Sequence, residues 1–367
     1  MQITNPALYI AFLLLLTVGA PGQSAPDVLI FVNGDRLAGH VVRASGAAVV
    51  FKSEMAGELT IDWSKIQELR SEQKFAVIPK HVRLRGREDA ASVPQGAIVM
   101  TAQQIRIAAA PPQTLPVGDV GNMVDQASFE KALTRSTFLH GWRGGATGGL
   151  SLTEATQKSQ TFTAAVSLVR SVPAEAWLDT RSRTTLDFNQ AYGKLTQPGA
   201  PAIKTSLYHL GLEQSWFLSP RLFAFGQAVL DHSFSQGLSL QQTYGGGLGV
   251  VVIRRAHQEL DFKASADYIN QRFNAPGRNK SLIGSIFGET YLRTMAHGIL
   301  LNEQAGLTPA WNEPKAYSAF ASASLTFPVY RRLGLTLGTL DNFLNDPPPG
   351  FRKNSFQFTA GATYSLQ

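Results

Sequence analysis

Ionisable side chains recur at every second position in parts of the second half of the chain, and this spacing places them on one face of an extended strand. One such segment alternates polar with apolar residues. Its polar members are Glu259, Asp261, Lys263, Ser265 and Asp267, and its apolar members are Leu260, Phe262, Ala264, Ala266 and Tyr268. Carboxylates and ammonium groups that share a face can pair with one another or line a path that selects ions.

The hairpin that contains this segment predicts two ion pairs. If the loop near Pro276 joins its strands symmetrically, Glu259 lies opposite Arg293 and Lys263 lies opposite Glu289. If the strands of this region close into a barrel, these charges face its lumen. They then either form a constriction that selects solutes or form salt bridges that stabilise a polar lumen, and the second interpretation is favoured. The acidic excess indicates a cation preference if a channel is open. The predicted lumen charges are Glu213, Asp231, Glu259, Asp261, Lys263, Asp267, Glu289 and Arg293.

A hydrolytic function would need a nucleophile within reach of a general base. His209 is expected midway along the lumen, but spacing assigns no serine or aspartate to it. His232 is expected on the outer face near the outer rim, and its neighbour Asp231 points the opposite way, so the two cannot share a metal ion. No catalytic residue, cofactor or metal site is predicted. An outer-membrane hydrolase with a lumen or rim active site remains the alternative to a structural envelope protein or passive channel for small solutes.

Residues 144–367 are predicted to form a transmembrane antiparallel β-barrel of about 12 strands, so the fold class is all-β. The last strand is the clearest, because Phe356, Phe358 and Tyr364 alternate with polar residues and glycine. Alanine-rich apolar faces with aromatic ends are typical of lipid contact. Short and long links alternate after the first hairpin, as periplasmic turns and extracellular loops do. A soluble β-sandwich stays open, because alternation alone does not exclude it.

The amino-terminal residues 1–24 are predicted to be a signal peptide. The apolar run Ala7–Val18 has the length of a signal-peptide core and is too short to span a membrane as a helix. Cleavage is expected after Ala20 or Ser24, and an uncleaved anchor is the alternative. No later apolar stretch approaches spanning length, so a mature protein that crosses a membrane would have to do so as a closed barrel.

Residues 27–108 are predicted to form a small SH3-like β-domain in the periplasm, because β-rich runs are separated by Asn33-Gly34 and Ser45-Gly46 turns. Residues 109–143 are predicted to be a Pro-rich linker and a short helix. The helix is expected over residues 125–139, with Asp125 as its N-cap.

The chain carries a formal net charge of +7 and has no cysteine, which excludes disulfides and thiolate metal sites. Residues 126–367 hold the whole excess, with 22 Lys and Arg against 15 Asp and Glu. Basic residues gather at the predicted short turns, where a solvated periplasmic rim is the favoured explanation and an anionic polymer or a protein partner is the alternative. Nucleic acid is not a predicted partner, because basic and aromatic residues do not interleave.

Four short motifs are distinctive. In the first half of the chain they are Asn33-Gly34-Asp35-Arg36-Leu37 and Ile61-Asp62-Trp63-Ser64-Lys65-Ile66, and in the second half Ser219-Pro220-Arg221-Leu222-Phe223 and Asn345-Asp346-Pro347-Pro348-Pro349-Gly350. With these motifs the chain resembles the YdiY-like family of salt-induced outer-membrane proteins. The resemblance covers most of the mature chain and implies a β-barrel in the outer membrane of a Gram-negative-type bacterium. It implies no chemistry, because the family has no assigned activity. The chain departs from the family at Gln227 and Val229, where charged residues are commoner.

The end of the chain matches the signal by which outer-membrane barrels are recognised for assembly. Thr359, Gly361, Tyr364 and Leu366 occupy the polar, glycine, aromatic and hydrophobic positions of that signal, and an ordinary last strand is the alternative. The predicted partners are therefore the barrel-assembly machinery and outer-membrane lipid and lipopolysaccharide. A periplasmic polymer or protein is the expected partner of residues 27–108, and a periplasmic binding or scaffold function through this domain is a second alternative to the channel.

Overall fold

The structure is a computed structural model that describes residues 26–84, 89–133, 141–154, 158–175, 177–196, 201–255 and 257–366. The chain divides into two compact units, residues 1–134 and 135–367. The predicted signal peptide, residues 1–24, lies outside the described residues.

The first unit is one antiparallel sheet whose strands follow the order β4-β3-β2-β1-β5-β6-β7-β8. A ninth strand pairs with both β2 and β5, which closes part of the sheet into a barrel-like ring. The strands are β1 (Asp27–Phe31), β2 (Arg36–Ser45), β3 (Ala48–Ser53), β4 (Gly57–Asp62), β5 (Ile66–Pro79), β6 (Gln95–Thr101), β7 (Gln104–Ile107), β8 (Gln113–Pro116) and β9 (Val120–Asp125).

The core of this unit is apolar and fully enclosed by the sheet. Leu29, Phe51, Phe75 and Ile98 lose all their exposure, because the alternation of each strand points its apolar residues inward. Trp63 lies on a single 3-10 turn, Trp63–Lys65, and its indole N–H donates to the backbone oxygen of Ser45 at 2.8 Å.

The sheet extends past Ala108, the end predicted for the small domain. β8 pairs with β7, and β9 pairs Val124 with both Arg43 and Ala76, so much of the predicted linker is ordered sheet. Helix α1 (Gln126–Leu133) follows directly. The Asp125 carboxylate accepts from the backbone N–H of Ser128 at 2.9 Å, which is the N-cap bond that the sequence predicts.

The second unit is a closed antiparallel barrel of 12 strands, in agreement with the predicted fold class. Each strand pairs with its neighbours in sequence, and β10 closes the barrel by pairing Gly144–Gly148 with Ala362–Leu366 of β21. The strands are β10 (Trp142–Glu154), β11 (Lys158–Val172), β12 (Ser182–Thr196), β13 (Ile203–Phe217), β14 (Leu222–Ser233), β15 (Leu238–Arg255), β16 (Gln258–Phe273), β17 (Lys280–Thr294), β18 (Leu300–Thr308), β19 (Ser318–Tyr330), β20 (Leu333–Leu344) and β21 (Asn354–Leu366).

In the barrel apolar side chains face outward and polar side chains face the lumen, which is the reverse of the arrangement in a water-soluble protein. On β21 the even-numbered side chains face outward, and Phe356 and Phe358 are 65% and 60% exposed. The odd-numbered residues of the same strand face the lumen and include Thr363, which is buried. Residues directly opposite each other in an antiparallel ladder share a face. The register of each strand pair therefore determines which residues of the next strand face the lumen.

The links fall into two groups at the two ends of the barrel. We call the end where β10 begins and β21 finishes the short-link end, since it includes the links 218–221, 256–257 and 331–332. The opposite, long-link end includes 274–279, 309–317 and 345–353. One link departs from the predicted alternation of short and long links, because β11 ends at Val172 and β12 begins at Ser182, which leaves a long link at the short-link end.

Among the described residues, no helix has both the length and the apolar character needed to cross a membrane.

Candidate functional site

The charged residues of the lumen gather on the wall formed by β12 to β16. On β16 the odd-numbered side chains face inward, and Asp261, Ser265 and Asp267 are buried, whereas Phe262 and Tyr268 are exposed on the outer face. We call the residues that meet nearest the short-link end the inner charge network: Arg183, Glu213, Glu259, Asp261 and Lys263.

Arg183 crosses the lumen face of three intervening strands to reach β16. Its two terminal nitrogens lie 2.9 Å from Glu259 Oε1 and 2.6 Å from Asp261 Oδ2. The guanidinium group also lies 5.6 Å and 5.2 Å from the ring centres of Phe217 and Phe223. Carboxylates on one side and aromatic faces on the other hold the planar cation in one orientation.

Lys263 makes the second ion pair of the network. Its Nζ lies 2.6 Å from Glu213 Oε2 on β13, and the Ser215 hydroxyl donates to the other carboxylate oxygen at 2.9 Å. The ammonium group lies 5.6 Å from the ring centre of Phe225. Each member of the inner charge network therefore has a partner of opposite charge, which offsets the cost of removing it from water.

Glycine residues of β15 make these crossings possible. A Cβ placed on Gly249 would lie 2.2 Å from the Phe223 ring, and one on Gly245 would lie 1.9 Å from the Asp267 carboxylate. The lumen face of β15 is therefore a groove into which side chains of β14 and β16 pack.

Nearer the long-link end the network continues as hydrogen-bonded pairs. The Gln227 amide donates to Asp267 at 2.8 Å, and the Ser167 hydroxyl donates to Asp187 at 2.7 Å. His209 Nδ1 lies 2.7 Å from Asp231 Oδ1, directly opposite in the ladder of β13 and β14.

Sequence reasoning missed the Asp231 partner of His209, although a signal was present. The tight turn at Ser219-Pro220-Arg221 is the centre of that hairpin, and residues equally far from Pro220 on either side include His209 and Asp231.

Glu289 and Arg293 do not line the lumen, so two of the predicted lumen charges are wrong. The ladder pairs Phe262 with Glu289 and Gln258 with Arg293, one residue away from the predicted register. Because a one-residue slip turns every side chain to the other face, both residues lie on the outer wall. The predicted pairs Glu259–Arg293 and Lys263–Glu289 are absent, and Arg183 and Glu213 are the partners instead. The remaining six predicted lumen charges do face inward.

The opposite wall of the lumen is lined by small hydroxyl residues. Thr326 and Thr336 share a hydrogen bond of 2.8 Å, Thr336 bonds Thr363, and Thr363 bonds Thr147 at 2.7 Å across the closing seam. The lumen is therefore asymmetric, with charges and aromatic rings on one wall and uncharged hydroxyl groups on the other.

Links at the long-link end fold over the mouth of the barrel. The Gln236 side chain, between β14 and β15, donates to the backbone oxygens of Asn342 and Lys353 at 3.0 Å each, although those residues belong to the opposite side of the barrel. Leu238, Phe273 and Leu344 pack beneath this contact. We call the links 234–237, 309–317 and 345–353 the outer cap.

Ion pairs fasten the outer cap to β17. Lys280 Nζ lies 2.5 Å from Asp346 Oδ2 and 2.8 Å from Glu313 Oε1. The hydrogen bond from Lys280, aided by the charge of Arg278, holds the pKa of Asp346 below its ordinary value.

Tyr364 and Leu366 of the predicted assembly signal lie on the exposed outer face of β21, and Thr359 and Gly361 face the lumen. Within the ranges that the structure describes, no group of three or more His, Asp or Glu side chains could hold a metal ion.

The barrel resembles solved barrels in fold only. The β-domain of the Bordetella autotransporter Brka gives a TM-score of 0.31 at 12% identity, over 61% of this chain and 98% of that chain. The translocator domain of autotransporter NalP from Neisseria meningitidis gives 0.33 at 11% identity, over 65% and 94%. The transport unit of autotransporter AIDA-I from Escherichia coli gives 0.29 at 14% identity, over 61% and 89%.

No curated protein matches the chain. A family model does match. DUF481, described as a protein of unknown function, covers residues 146–366, which is the barrel without residues 142–145 at the start of β10. The chain therefore belongs to the DUF481 family, the YdiY-like family that its sequence resembles.

Proposed function

We propose that the protein is an outer-membrane β-barrel that serves as a passive channel for small solutes with a preference for cations. Insertion is supported by the outer face of β20 and β21, on which the apolar side chains of Leu335, Leu337, Phe356 and Phe358 are exposed. The N-terminal unit precedes β10 in the chain, and β10 begins at the short-link end of the barrel, which in such barrels faces the periplasm. We infer a periplasmic position for this unit on that basis.

The observation that carries the channel proposal is the division of the lumen into two walls. The charged wall presents six carboxylates, those of Asp187, Glu213, Asp231, Glu259, Asp261 and Asp267, against the cations Arg183 and Lys263. The hydroxyl groups described on the opposite wall, those of Thr147, Thr326, Thr336 and Thr363, are uncharged, so hydrated ions passing along them experience the negative potential of the charged wall.

The outer cap implies that conduction is gated. Gln236 joins its link to the link 345–353 on the opposite side of the barrel, and Asp346 joins that second link to Lys280 of β17, so we expect an ion crossing the long-link end to pass between these contacts. The channel is therefore expected to open in brief steps rather than to conduct continuously.

Ion conductance of the refolded full protein in planar bilayers tests the proposal, with heat-modifiable gel mobility as the folding control. Lys263→Gln removes a cation from the charged wall and is expected to raise cation selectivity. Glu289→Gln is the matched control, because it removes a charge from the outer wall and should leave selectivity unchanged. A folded barrel that never conducts would contradict the channel function and would favour a structural role.

A further inference from the structure

A serine and a histidine form a hydrogen-bonded pair on the outer wall of the barrel, away from the lumen. Ser206 Oγ on β13 lies 2.6 Å from His232 Nε2 on β14. The other ring nitrogen of His232, Nδ1, lies 2.9 Å from the backbone oxygen of Ser239 at the start of β15. Three neighbouring strands thus supply a hydroxyl, an imidazole and a carbonyl in sequence.

The carbonyl fixes the chemical role of the imidazole. A carbonyl oxygen can only accept, so Nδ1 of His232 must carry the proton, and Nε2 of the neutral ring is then an acceptor. The Ser206 hydroxyl donates to this acceptor. A hydroxyl, a base within hydrogen-bond distance and a group that orients the base are the arrangement that activates a serine nucleophile.

Both side chains face away from the lumen. Tyr208 stands directly opposite His232 in the ladder, and the two rings stack at 4.9 Å with 15° between their planes. Ser206 stands opposite Tyr192, and Leu210 and Leu212 follow on the same exposed face of β13. The pair lies close to the long-link ends of β13 and β14, at the height where tyrosine meets the boundary between lipid and water.

Two lysines adjoin the pair on the same face. Lys194 and Lys204 are directly opposite in the ladder of β12 and β13, one step beyond Tyr192 and Ser206 towards the long-link end. Like charges directly opposite each other repel, and an anion between them would remove the repulsion. A phosphate group is therefore expected beside Ser206, at about 7 Å along the strand, since two residues of a strand span that distance.

We propose that this face of the barrel is the active site of an acyl-ester hydrolase that acts on phosphate-bearing lipids of the outer leaflet. The proposal rests on outer-membrane insertion but not on conduction through the lumen. Ser206 and His232 are its catalytic residues. Lys194 and Lys204 bind the phosphate of the lipid, and Tyr192 and Tyr208 border the acyl chain.

The reaction needs water as its one co-reactant. Ser206 Oγ attacks the ester carbonyl carbon while its proton passes to His232 Nε2, and the carbon–oxygen bond to the alcohol breaks as that proton is returned to the leaving oxygen. Water then attacks the acyl-serine, again giving its proton to His232. The proton returns to Ser206 Oγ as the acyl–serine bond breaks, so one ester and one water become one fatty acid and one alcohol.

The first test measures fatty-acid release by the refolded full chain in two arms, vesicles of phosphatidylethanolamine with phosphatidylglycerol, and lipopolysaccharide. Release in either arm identifies the source of the ester, and Ser206→Ala and His232→Ala should each lower it by at least about 10³-fold. Ser281→Ala is the matched control, because Ser281 is an outward serine at the same end of the barrel whose hydroxyl meets Tyr268 rather than a histidine. Lys204→Ala should raise the lipid concentration for half-maximal rate.

A second measurement does not depend on choosing the right lipid. A fluorophosphonate probe should label the wild-type protein on the peptide that contains Ser206 and should leave the heat-modifiable Ser206→Ala protein unlabelled. A folded wild-type barrel that neither takes the label nor releases fatty acid in either arm overturns the proposal. A barrel that fails to fold instead contradicts insertion, and the gel-mobility control distinguishes the two results.

Discussion

The two units of the chain are built from the same alternating strands but turn opposite faces inward. In the N-terminal unit Phe75 and Ile98 have no exposure, and Asp27 is the only buried residue among the charged residues that the structure describes there. In the barrel Phe356 and Phe358 lie outside, and Asp261 and Asp267 lie within. The comparison teaches that alternation specifies a two-faced strand, whereas the surroundings of the sheet decide which face is enclosed.

The largest difference between the two units is expected when one aromatic ring is removed from each of them. Phe75→Ala should lower the free energy of unfolding of the N-terminal unit by about 4 kcal/mol, because it leaves a cavity in a closed core. Phe358→Ala should change barrel stability by less than about 1 kcal/mol, because lipid fills the space. Urea titration measures the two units separately if Trp63 fluorescence is followed in a full-length protein whose other four tryptophans are replaced by phenylalanine, and heat-modifiable mobility is followed for the barrel. Equal losses would contradict the assignment of inner and outer faces.

Removing Arg183 tests whether the enclosed polar face behaves as a core. Arg183→Ala leaves Glu259 and Asp261 without their cation, and the barrel should lose about 3 kcal/mol of stability. Arg221→Ala is the control, since Arg221 lies in an exposed short link and should have little effect. If both variants unfold at the same urea concentration, the ion pairs do not support the barrel.

Carboxylates on the outer wall and in the lumen are expected to affect barrel stability in opposite directions. Glu289 lies opposite Phe262 and Ala305 on the outer face, so Glu289→Leu should stabilise the inserted barrel by about 1 kcal/mol. The reverse is expected for Glu213→Leu, which leaves Lys263 unpaired in the lumen. Equilibrium unfolding from lipid vesicles measures both changes, and a loss of stability in Glu289→Leu would indicate that this wall contacts a protein partner.

The smallest expected effect concerns the outer cap. Because the pKa of Asp346 is lowered in the folded protein, its ion pair with Lys280 contributes stability that is present above the ordinary aspartate pKa. That contribution is lost as the pH falls through the lowered pKa. Channel openings should therefore become more frequent in strongly acid solution, and Asp346→Asn should show frequent openings already at neutral pH. An unchanged pH profile in Asp346→Asn would assign the gate elsewhere.

Much of the barrel could be predicted from the sequence, because its information is local. The strand number, the alternation of β21 and the inward side of β16 follow from neighbouring residues and turns. Register is different, since it depends on how a loop closes. The tight turn at Pro220 fixes the pairing of His209 with Asp231, whereas the longer loop at 274–279 admits a shift of one residue, which moved Glu289 to the outer wall.

The N-terminal unit was harder to predict because its last strands pair over long distances. β9 joins Val124 to Arg43, a contact with no local signal. Prolines near Pro116 suggested a linker, but Pro116 ends the edge strand β8, where a missing backbone N–H costs no ladder bond. The outer-wall pair of Ser206 and His232 was missed for a related reason, since it is diagonal across two strands and needs the register before it becomes visible.

The closing seam of the barrel has a consequence for how the chain folds. Gly144–Gly148 must find Ala362–Leu366, residues from opposite ends of the unit, whereas every other strand pair joins neighbours in sequence. Contacts of such long sequence separation form slowly, because the entropy of a large loop is lost before they contribute. The ring should therefore close last, from a nearly complete curved sheet with two free edges. Pairing of β10 with β21 is therefore the rate-limiting step in the folding of the barrel. An assembly factor that binds the edge of β21 would accelerate that step.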